Sequence, residues 1–251
     1  MRLIAIATQK GGVGKTTTSI EMSYHLKKAG KKVLLIDMDS QYNATILSKA
    51  QYEGVSTIYD VIVDSDLDPR EAIQHTEYVD IIPSDPALED LVENRDLMKN
   101  LKISCLDKLH SLTEYDFVLL DCAPSIGILL YVSIYVSDEV IIPLTADILG
   151  IVGLGQLQKL VAKMQSLRKG KPTVAGILIT RYRGNLVTSK QVDPMIEDLA
   201  KKLNTKVFKK RIRETAAVGK AQAIPMPVGE FEPYGDTTFD YIDFAKEIME
   251  G

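Results

Sequence analysis

A glycine-rich stretch near the start of the chain limits its fold more than any other feature. The residues KGGVGKTTT at 10–18 follow the apolar run RLIAIAT at 2–8 and open a helical pattern at 15–29. Glycine permits a tight turn and lets backbone N–H groups converge on phosphate oxygens, and the positive end of the following helix adds to the attraction. A strand, a glycine-rich loop and a helix in this order predict a phosphate-binding loop.

The loop departs in two ways from the ordinary nucleotide-binding pattern G-x-x-x-x-G-K-[ST]. Gln9 occupies the position of the first glycine, and Lys10 is a second lysine that the pattern does not require. We expect Lys15 to contact the β- and γ-phosphates, Thr16 to ligate Mg²⁺ through its hydroxyl, and Thr17 to touch the α-phosphate. The predicted nucleotide-binding residues are Lys10, Gly11, Gly12, Val13, Gly14, Lys15, Thr16 and Thr17.

Short β-branched runs alternate with longer helical patterns along the chain. We predict strands at 2–8, 32–37, 79–84, 116–121, 139–144 and 174–180, and helices at 15–29, 86–100, 150–168 and 189–203. Most strand runs are continuously apolar, as expected when helices cover both faces of a sheet. This alternation predicts an α/β fold with a doubly wound, mainly parallel sheet, as in P-loop NTPases. Because no linker or internal repeat interrupts it, we expect residues 1–251 to form a single domain.

The composition narrows the classes of function. Two cysteines and three histidines, without the spacing of a zinc site or a disulfide framework, suit a reducing cytosol. No run approaches the roughly 18 apolar residues of a membrane span. The formal net charge of -4 gives no global sign of nucleic-acid binding, so a DNA-binding surface has to be local. We expect a cytoplasmic protein, without a DNA-reading extension before the first strand.

Two acidic motifs follow other predicted strands. LLIDMDSQ at 34–41 contains Asp37 and Asp39, and DFVLLDCAPS at 116–125 ends an apolar run in Asp121. The carboxyl ends of parallel strands meet at one edge of a sheet, so we expect these carboxylates beside the phosphate loop. In this position Asp121 is expected to hold Mg²⁺ through water.

These motifs resemble those of the ParA/MinD superfamily of deviant Walker A (SIMIBI) P-loop ATPases, and most closely its ParA/Soj partition branch. The resemblance covers nearly the whole chain, although 184–211 matches less specifically. In that family the early lysine crosses a dimer interface to the partner's phosphates, which implies that Lys10 is catalytic together with Lys15 and Asp39. A cation from a second subunit is chemically reasonable, because phosphoryl transfer develops charge and the sequence shows no clear arginine finger.

The resemblance also implies roles for the acidic residues. Asp39 would position the attacking water, and Asp37 would lie near the Mg²⁺ that Thr16 and Asp121 hold. Two departures limit the comparison. Ser40 stands where the family commonly has proline, and the helix after Pro-Ser lacks the family's asparagine, so contacts made by that asparagine are not transferred.

The function implied by the resemblance is DNA segregation driven by ATP. Binding of ATP and Mg²⁺ would produce a homodimer that holds non-specific DNA, and hydrolysis would release it. The ATPase would be weak alone and stimulated by a ParB-like, centromere-bound partner, on a nucleoid-associated cytoplasmic protein. The alternative is a MinD-like ATPase that positions a protein or membrane-associated cargo. An electron-transfer ATPase of the same fold would need cluster-ligating cysteines, which Cys105 and Cys122 do not supply.

A basic stretch stands out in this acidic chain. KKLNTKVFKKRIR at 201–213 carries seven Lys or Arg residues and no acidic residue. Phosphate contacts give sequence-independent, salt-sensitive affinity, so we predict DNA binding here through Lys209, Lys210, Arg211 and Arg213. Strand spacing would place Arg211 and Arg213 on one face. A solvated helix end and an edge strand would explain the same composition.

The last helical pattern, DTTFDYIDFAKEIMEG, is acidic. Its five carboxylates stand against the single Lys246, whereas a membrane anchor needs a basic polar face. We therefore expect no direct membrane binding. The helix is predicted to pack onto the sheet through Phe239, Ile242 and Ile248.

Overall fold

The structure, a computed structural model, describes residues 1–93, 102–125, 127–184 and 187–250. Its strands form one seven-stranded sheet in the order β3-β4-β2-β5-β1-β6-β7. The strands are β1 (Arg2–Ile6), β2 (Val33–Met38), β3 (Gln74–His75), β4 (Asp80–Ile82), β5 (Phe117–Cys122), β6 (Glu139–Thr145) and β7 (Thr173–Thr180). Neighbouring strands pair in parallel except β3 and β4, which pair antiparallel. The predicted mainly parallel sheet is confirmed. The two-residue β3 was not predicted.

Helices connect the strands and cover the sheet. The helices of the described residues are α1 (Lys15–Lys28), α2 (Asn43–Leu47), α3 (Ile58–Val63), α4 (Leu88–Glu93), α5 (Ile128–Val136), α6 (Ile148–Leu167), α7 (Val187–Lys202), α8 (Ala216–Ala223), α9 (Val228–Phe231) and α10 (Asp236–Glu250). The helix predicted at 86–100 begins at Leu88 as α4, residues 86–87 form a turn, and residues 94–100 lie outside the described residues. In the part of the chain that the structure describes, no helix has the length and apolarity to span a bilayer.

Alternating side chains of the strands divide the core in two. Leu3 and Ala5 of β1 pack with residues of α3 to α7, whereas Ile4 and Ile6 pack with α1 and α10. Successive strand residues point to opposite faces, so a continuously apolar strand needs cover on both. The prediction that helices cover both faces is confirmed.

The last helix packs differently from the prediction. The apolar side chains that α10 buries are Tyr241, Phe244, Ala245 and Ile248, while Phe239 is 46% exposed. The buried residues recur every three or four positions and so lie on one stripe of the helix. Phe239 lies two positions before Tyr241, which is about 200° around the helix. Packing through Ile248 is confirmed, and packing through Phe239 was wrong.

Candidate nucleotide site

The phosphate loop lies at the carboxyl end of β1, near the centre of the sheet. Gly12 and Gly14 have φ angles of 70° and 86°, a conformation that glycine adopts without strain. Helix α1 starts directly after Gly14 with no side-chain cap and no acidic residue in its first turn. Its first N–H groups are therefore left for an anion, and no local carboxylate opposes one.

Lys15 is held inside the loop. Lys15 is only 7% exposed, and its Nζ donates a 3.4 Å hydrogen bond to the carbonyl of Lys10. Burial lowers the pKa of Lys15, and the nearby Asp121 carboxylate opposes that shift. A lysine that bonds only to a loop carbonyl at long distance is well placed to meet phosphate oxygens.

Asp121 connects β5 with the first turn of α1. It lies opposite Ile6 of β1 and Asp37 of β2 in the parallel register, and it is 1% exposed. Its Oδ1 accepts a 2.9 Å hydrogen bond from Ser19, and the neighbouring Thr16 hydroxyl favours the charged form of the carboxylate. Burial raises the pKa of Asp121. The structure thus brings together the two predicted Mg²⁺ residues Thr16 and Asp121.

Asp37 is buried behind the site. Its Oδ2 accepts hydrogen bonds of 2.8 Å from both the backbone N–H and the hydroxyl of Thr45, and Oδ1 accepts one of 3.2 Å from Asp39 N–H. Burial and then the charge of Asp121 raise the pKa of Asp37. These bonds hold the turn between β2 and α2. Neither Asp37 nor Asp121 forms part of the cavity wall, so the place of each near Mg²⁺ stays a prediction.

A cavity of about 760 Å³ extends from the phosphate loop. The wall contains the predicted residues Gly11, Gly12, Gly14, Lys15, Thr16, Thr17 and Asp39. Asp39 takes one 3.2 Å hydrogen bond from Gln41 N–H and otherwise faces this space. Val13 is buried, and its carbonyl accepts a 2.7 Å hydrogen bond from Thr180 at the end of β7, which braces the loop.

The sequence did not identify another part of the cavity wall, which lies beside the phosphate loop. This part contains Arg181, Arg213, Glu214, Thr215, Gln222 and Tyr241. Arg181 has a φ of 50° and donates to the Gly12 carbonyl at 3.1 Å, while Glu214 accepts from it at 2.7 Å. One indication of Arg181 was present in the sequence, since this residue directly follows a predicted strand. There was none for residues 212–222, because only the folded chain brings them to Arg181. The wall combines these polar side chains with apolar ones such as Val218, which is the kind of lining that a nucleoside needs.

Lys10 is bound within its own chain. Its Nζ donates to both carboxylate oxygens of Asp147, at 2.9 and 2.8 Å, and to the hydroxyl of Thr145 at 3.1 Å. Asp147 also caps α6 by accepting from Gly150 N–H at 2.8 Å. Desolvation raises the pKa of Asp147. The hydrogen bonds from Lys10 and Thr145 outweigh that effect and hold the pKa below its usual range. Sequence reasoning missed Asp147, although Thr-Ala-Asp directly after a strand is a typical helix start.

The residues present fit a nucleotide with Mg²⁺. Among the described residues no group of three or more His, Cys, Asp or Glu could hold a metal alone. Mg²⁺ in phosphate sites keeps waters and uses one or two protein ligands together with the phosphates, which matches Thr16 and Asp121. The uncapped start of α1 supplies the complementary anion site.

The basic residues predicted to bind DNA lie beside β7, and three of the four are paired. Arg211 donates to both oxygens of Asp193 in α7 at 3.0 Å, and its guanidinium lies 4.8 Å from the centre of the Tyr182 ring. Arg213 instead bonds to α10, on the other side of the sheet. The prediction that Arg211 and Arg213 share one face was wrong. Val207 forms an isolated bridge to Ile177 of β7 and Arg213 forms one to Tyr182 beyond it, so the segment does not keep the alternation of a strand.

Comparisons with known proteins agree with this architecture. Residues 1–172 match the family model described as an AAA domain. The chain is 34% identical over 98% of its length to the sporulation initiation inhibitor protein Soj of Bacillus subtilis, of which it covers 98%. It is 29% identical over 99% of its length to the chromosome partitioning protein ParA of Caulobacter vibrioides, of which it covers 94%.

A solved structure resembles the whole chain. Cobyrinic acid a,c-diamide synthase from Mycobacterium smegmatis, with a bound ATP analogue and magnesium, superposes with a TM-score of 0.83 at 26% identity. The match covers 99% of this chain and 94% of that structure. The chain therefore belongs to the ParA/MinD family of deviant Walker A P-loop ATPases.

Proposed function

We propose that this chain is a DNA-partition ATPase that binds ATP with Mg²⁺, dimerises on ATP, holds non-specific DNA and lets go on hydrolysis. The observation that carries the proposal is the pair of lysines at one phosphate loop, of which Lys15 faces the cavity and Lys10 does not. A second lysine that lies outside its own cavity can serve a partner's cavity once it leaves Asp147. The relatives named for chromosome partitioning support the biological role.

The roles of the residues follow from their positions. The loop backbone and the start of α1 bind the phosphates, and Lys15 neutralises their charge. Thr16 and Asp121 hold Mg²⁺, which polarises the phosphoryl group when it is bound. Asp39 accepts a hydrogen bond from the attacking water and orients it. Lys10 of the other protomer supplies the last cation, so hydrolysis is slow until two protomers meet.

Partner control follows from the same design. A protomer alone lacks the cation that phosphoryl transfer needs, so a ParB-like protein that orders the dimer would raise the rate. Release from DNA after hydrolysis, triggered at the partner's location, would give directed movement on the nucleoid. The proposal includes no direct membrane contact, since α10 carries Asp236, Asp240, Asp243 and Glu247.

Binding to a random-sequence DNA duplex tests the proposal, with ATP, ADP or no nucleotide across a salt series. We expect tight binding with ATP alone, weakening steeply as salt rises. Lys209→Ala should reduce affinity more than Lys31→Ala, which removes the same charge from the exposed turn between α1 and β2. Lys10→Ala should abolish hydrolysis, measured as phosphate release. Equal hydrolysis by Lys10→Ala and wild type would contradict the cross-dimer role.

A second candidate is an ATPase that positions a protein cargo. The observation in its favour is that Lys210, Arg211 and Arg213 are paired with carboxylates of their own chain. The same measurement separates the two functions. ATP-dependent dimers that ignore DNA at every salt concentration would exclude the partition function and leave cargo positioning.

A further inference from the structure

The basic segment, residues 209–213, lies against the acidic helix α10. Arg213 makes the densest contact: Nε and Nη2 donate to the two carboxylate oxygens of Asp240 at 2.8 and 2.9 Å, and its backbone N–H donates at 3.1 Å. The side chain of Asp240 is only 3% exposed. Arg213 is therefore the counterion of a buried carboxylate, and not a free surface cation.

The remaining donors of Arg213 and the ammonium of Lys210 also lie near carboxylates of α10. Arg213 Nη1 lies 3.0 Å from Asp236, and Lys210 Nζ lies 2.9 Å from Asp243 and 3.5 Å from Asp240. The hydrogen bond that Lys210 donates to Asp243 raises the pKa of Lys210. The contact thus neutralises both cations that lie nearest the helix.

Four of the five acidic residues of α10 form one stripe. Their positions, 236, 240, 243 and 247, are three or four residues apart, which places them on one side of a helix. Glu247 continues the stripe by accepting the backbone N–H groups of Lys209 and Lys210 at 3.1 and 3.3 Å. We call Asp236, Asp240, Asp243 and Glu247 the carboxylate stripe. It follows the basic segment along its length.

The charge balance of this surface opposes DNA. The carboxylate stripe pairs with Lys210 and Arg213, and Asp193 of α7 forms an ion pair with Arg211. Each of these three cations therefore contacts at least one carboxylate. Lys209 is exposed, and no ion pair to its side chain is found among the described residues. A phosphate that approaches Lys209 meets the stripe at close range, and counterion release gives affinity only for cations that are not already neutralised.

We propose that the carboxylate stripe competes with DNA phosphates for Lys210 and Arg213, so that one protomer holds DNA weakly and useful affinity requires two protomers on one duplex. The proposal rests on the proposed DNA-binding function and specifies its surface. Two weak sites joined in a dimer bind far more tightly than either alone, because the second contact is intramolecular. The stripe thereby makes DNA binding depend on ATP-driven dimerisation.

The test removes charge from the exposed part of the stripe. Asp236 and Asp243 have side chains that are 80% and 46% exposed, so Asp236→Asn/Asp243→Asn leaves buried Asp240 paired. Without nucleotide, we expect affinity for a random-sequence duplex to rise roughly tenfold at moderate salt. The plot of log affinity against log salt should steepen by about one unit, because Lys210 loses its nearest carboxylate while Arg213 stays paired with Asp240. The gain produced by ATP should shrink accordingly.

The matched control is Asp64→Asn/Asp66→Asn. Both residues are exposed in the loop after α3, and the pair removes the same charge from a surface away from β7. Circular dichroism and thermal unfolding check that each variant is folded. Asp243→Asn alone is the fallback, because it removes the nearest carboxylate of Lys210.

The outcomes separate the inference from the function. An unchanged affinity of the stripe variant for DNA, or a gain no larger than that of the control pair, would overturn the competition by the stripe. ATP-dependent DNA binding by wild type would still support the proposed function in that case. Failure of wild type and every variant to bind the duplex, even at low salt with ATP, would overturn the DNA-binding function itself.

Discussion

At the scale of single residues, Lys10 has two possible anionic partners. In this structure it bonds to Asp147 and Thr145 of its own chain. To reach the phosphates of another protomer, as we propose, its ammonium has to leave Asp147. Both side chains are partly exposed, 30% for Lys10 and 45% for Asp147, so the ion pair contributes about 1 kcal/mol at most.

Asp147→Asn tests this exchange. The amide oxygen of asparagine can still accept from Gly150 N–H and cap α6, while the charge that holds Lys10 is gone. We expect half-maximal dimerisation at an ATP concentration up to about fivefold lower, measured by analytical ultracentrifugation. Asp138→Asn, which removes a carboxylate paired with Lys171 instead, serves as the control. If the ATP concentration for half-maximal dimerisation stays the same or rises, Asp147 does not restrain Lys10.

At the scale of elements, β7 is completed by the segment that follows α7. Phe208 packs its ring beside Gly176 and meets Phe244 of α10 edge-on, with 5.0 Å between ring centres. A Cβ at position 176 would lie 2.6 Å from the Phe208 ring. The absence of a side chain at Gly176 therefore lets the basic segment and α10 approach β7.

Gly176→Ala should destabilise the fold by about 1–3 kcal/mol, because the Phe208 ring has to shift within a packed core. Gly155→Ala is the matched control: an added Cβ meets nothing within 4 Å, and alanine favours the helix α6 by up to about 1 kcal/mol. Urea unfolding of both variants measures the difference. Equal stability of the two would mean that Phe208 is not tightly packed against β7.

At the scale of the whole molecule, the parallel sheet brings distant polar groups to one edge. The loop after β1, Asp39 after β2, Asp121 in β5 and Thr180 in β7 all lie at strand carboxyl ends. Because these strands surround the central β1, a ligand bound there contacts elements from both halves of the sheet. Binding at such a place should stabilise the folded chain as a whole.

Thermal unfolding with and without Mg-ATP measures that stabilisation. At a hundredfold excess over Kd, we expect a gain of about 2.7 kcal/mol, most of it lost when EDTA removes Mg²⁺. Thr16→Ala should lose the part that depends on Mg²⁺, whereas Thr173→Ala, at the exposed amino end of β7, should behave as wild type. If Mg-ATP stabilises Thr16→Ala as much as wild type, Thr16 is not a ligand of Mg²⁺.

The phosphate loop of the candidate site could be predicted because its residues are neighbours in the sequence. Gly12, Gly14, Lys15 and Thr16 lie within one turn, and the strand and helix around them are set by short-range patterns. Asp121 required one further step, the rule that parallel strands present their carboxyl ends together. The sheet was predicted for the same reason, since continuous apolar runs need cover on both faces.

The charge of the basic segment could not be judged from its own residues. Composition showed seven cations and no acid in 201–213, yet the carboxylates that neutralise Lys210 and Arg213 come from α10, about 30 residues later. Lys10 and Asp147 are separated by 137 positions. Ion pairs depend on distance in space, and no local pattern reports it. The sequence by itself determined the sheet and the phosphate loop through short-range backbone chemistry, and only the tertiary structure decided which charges are free.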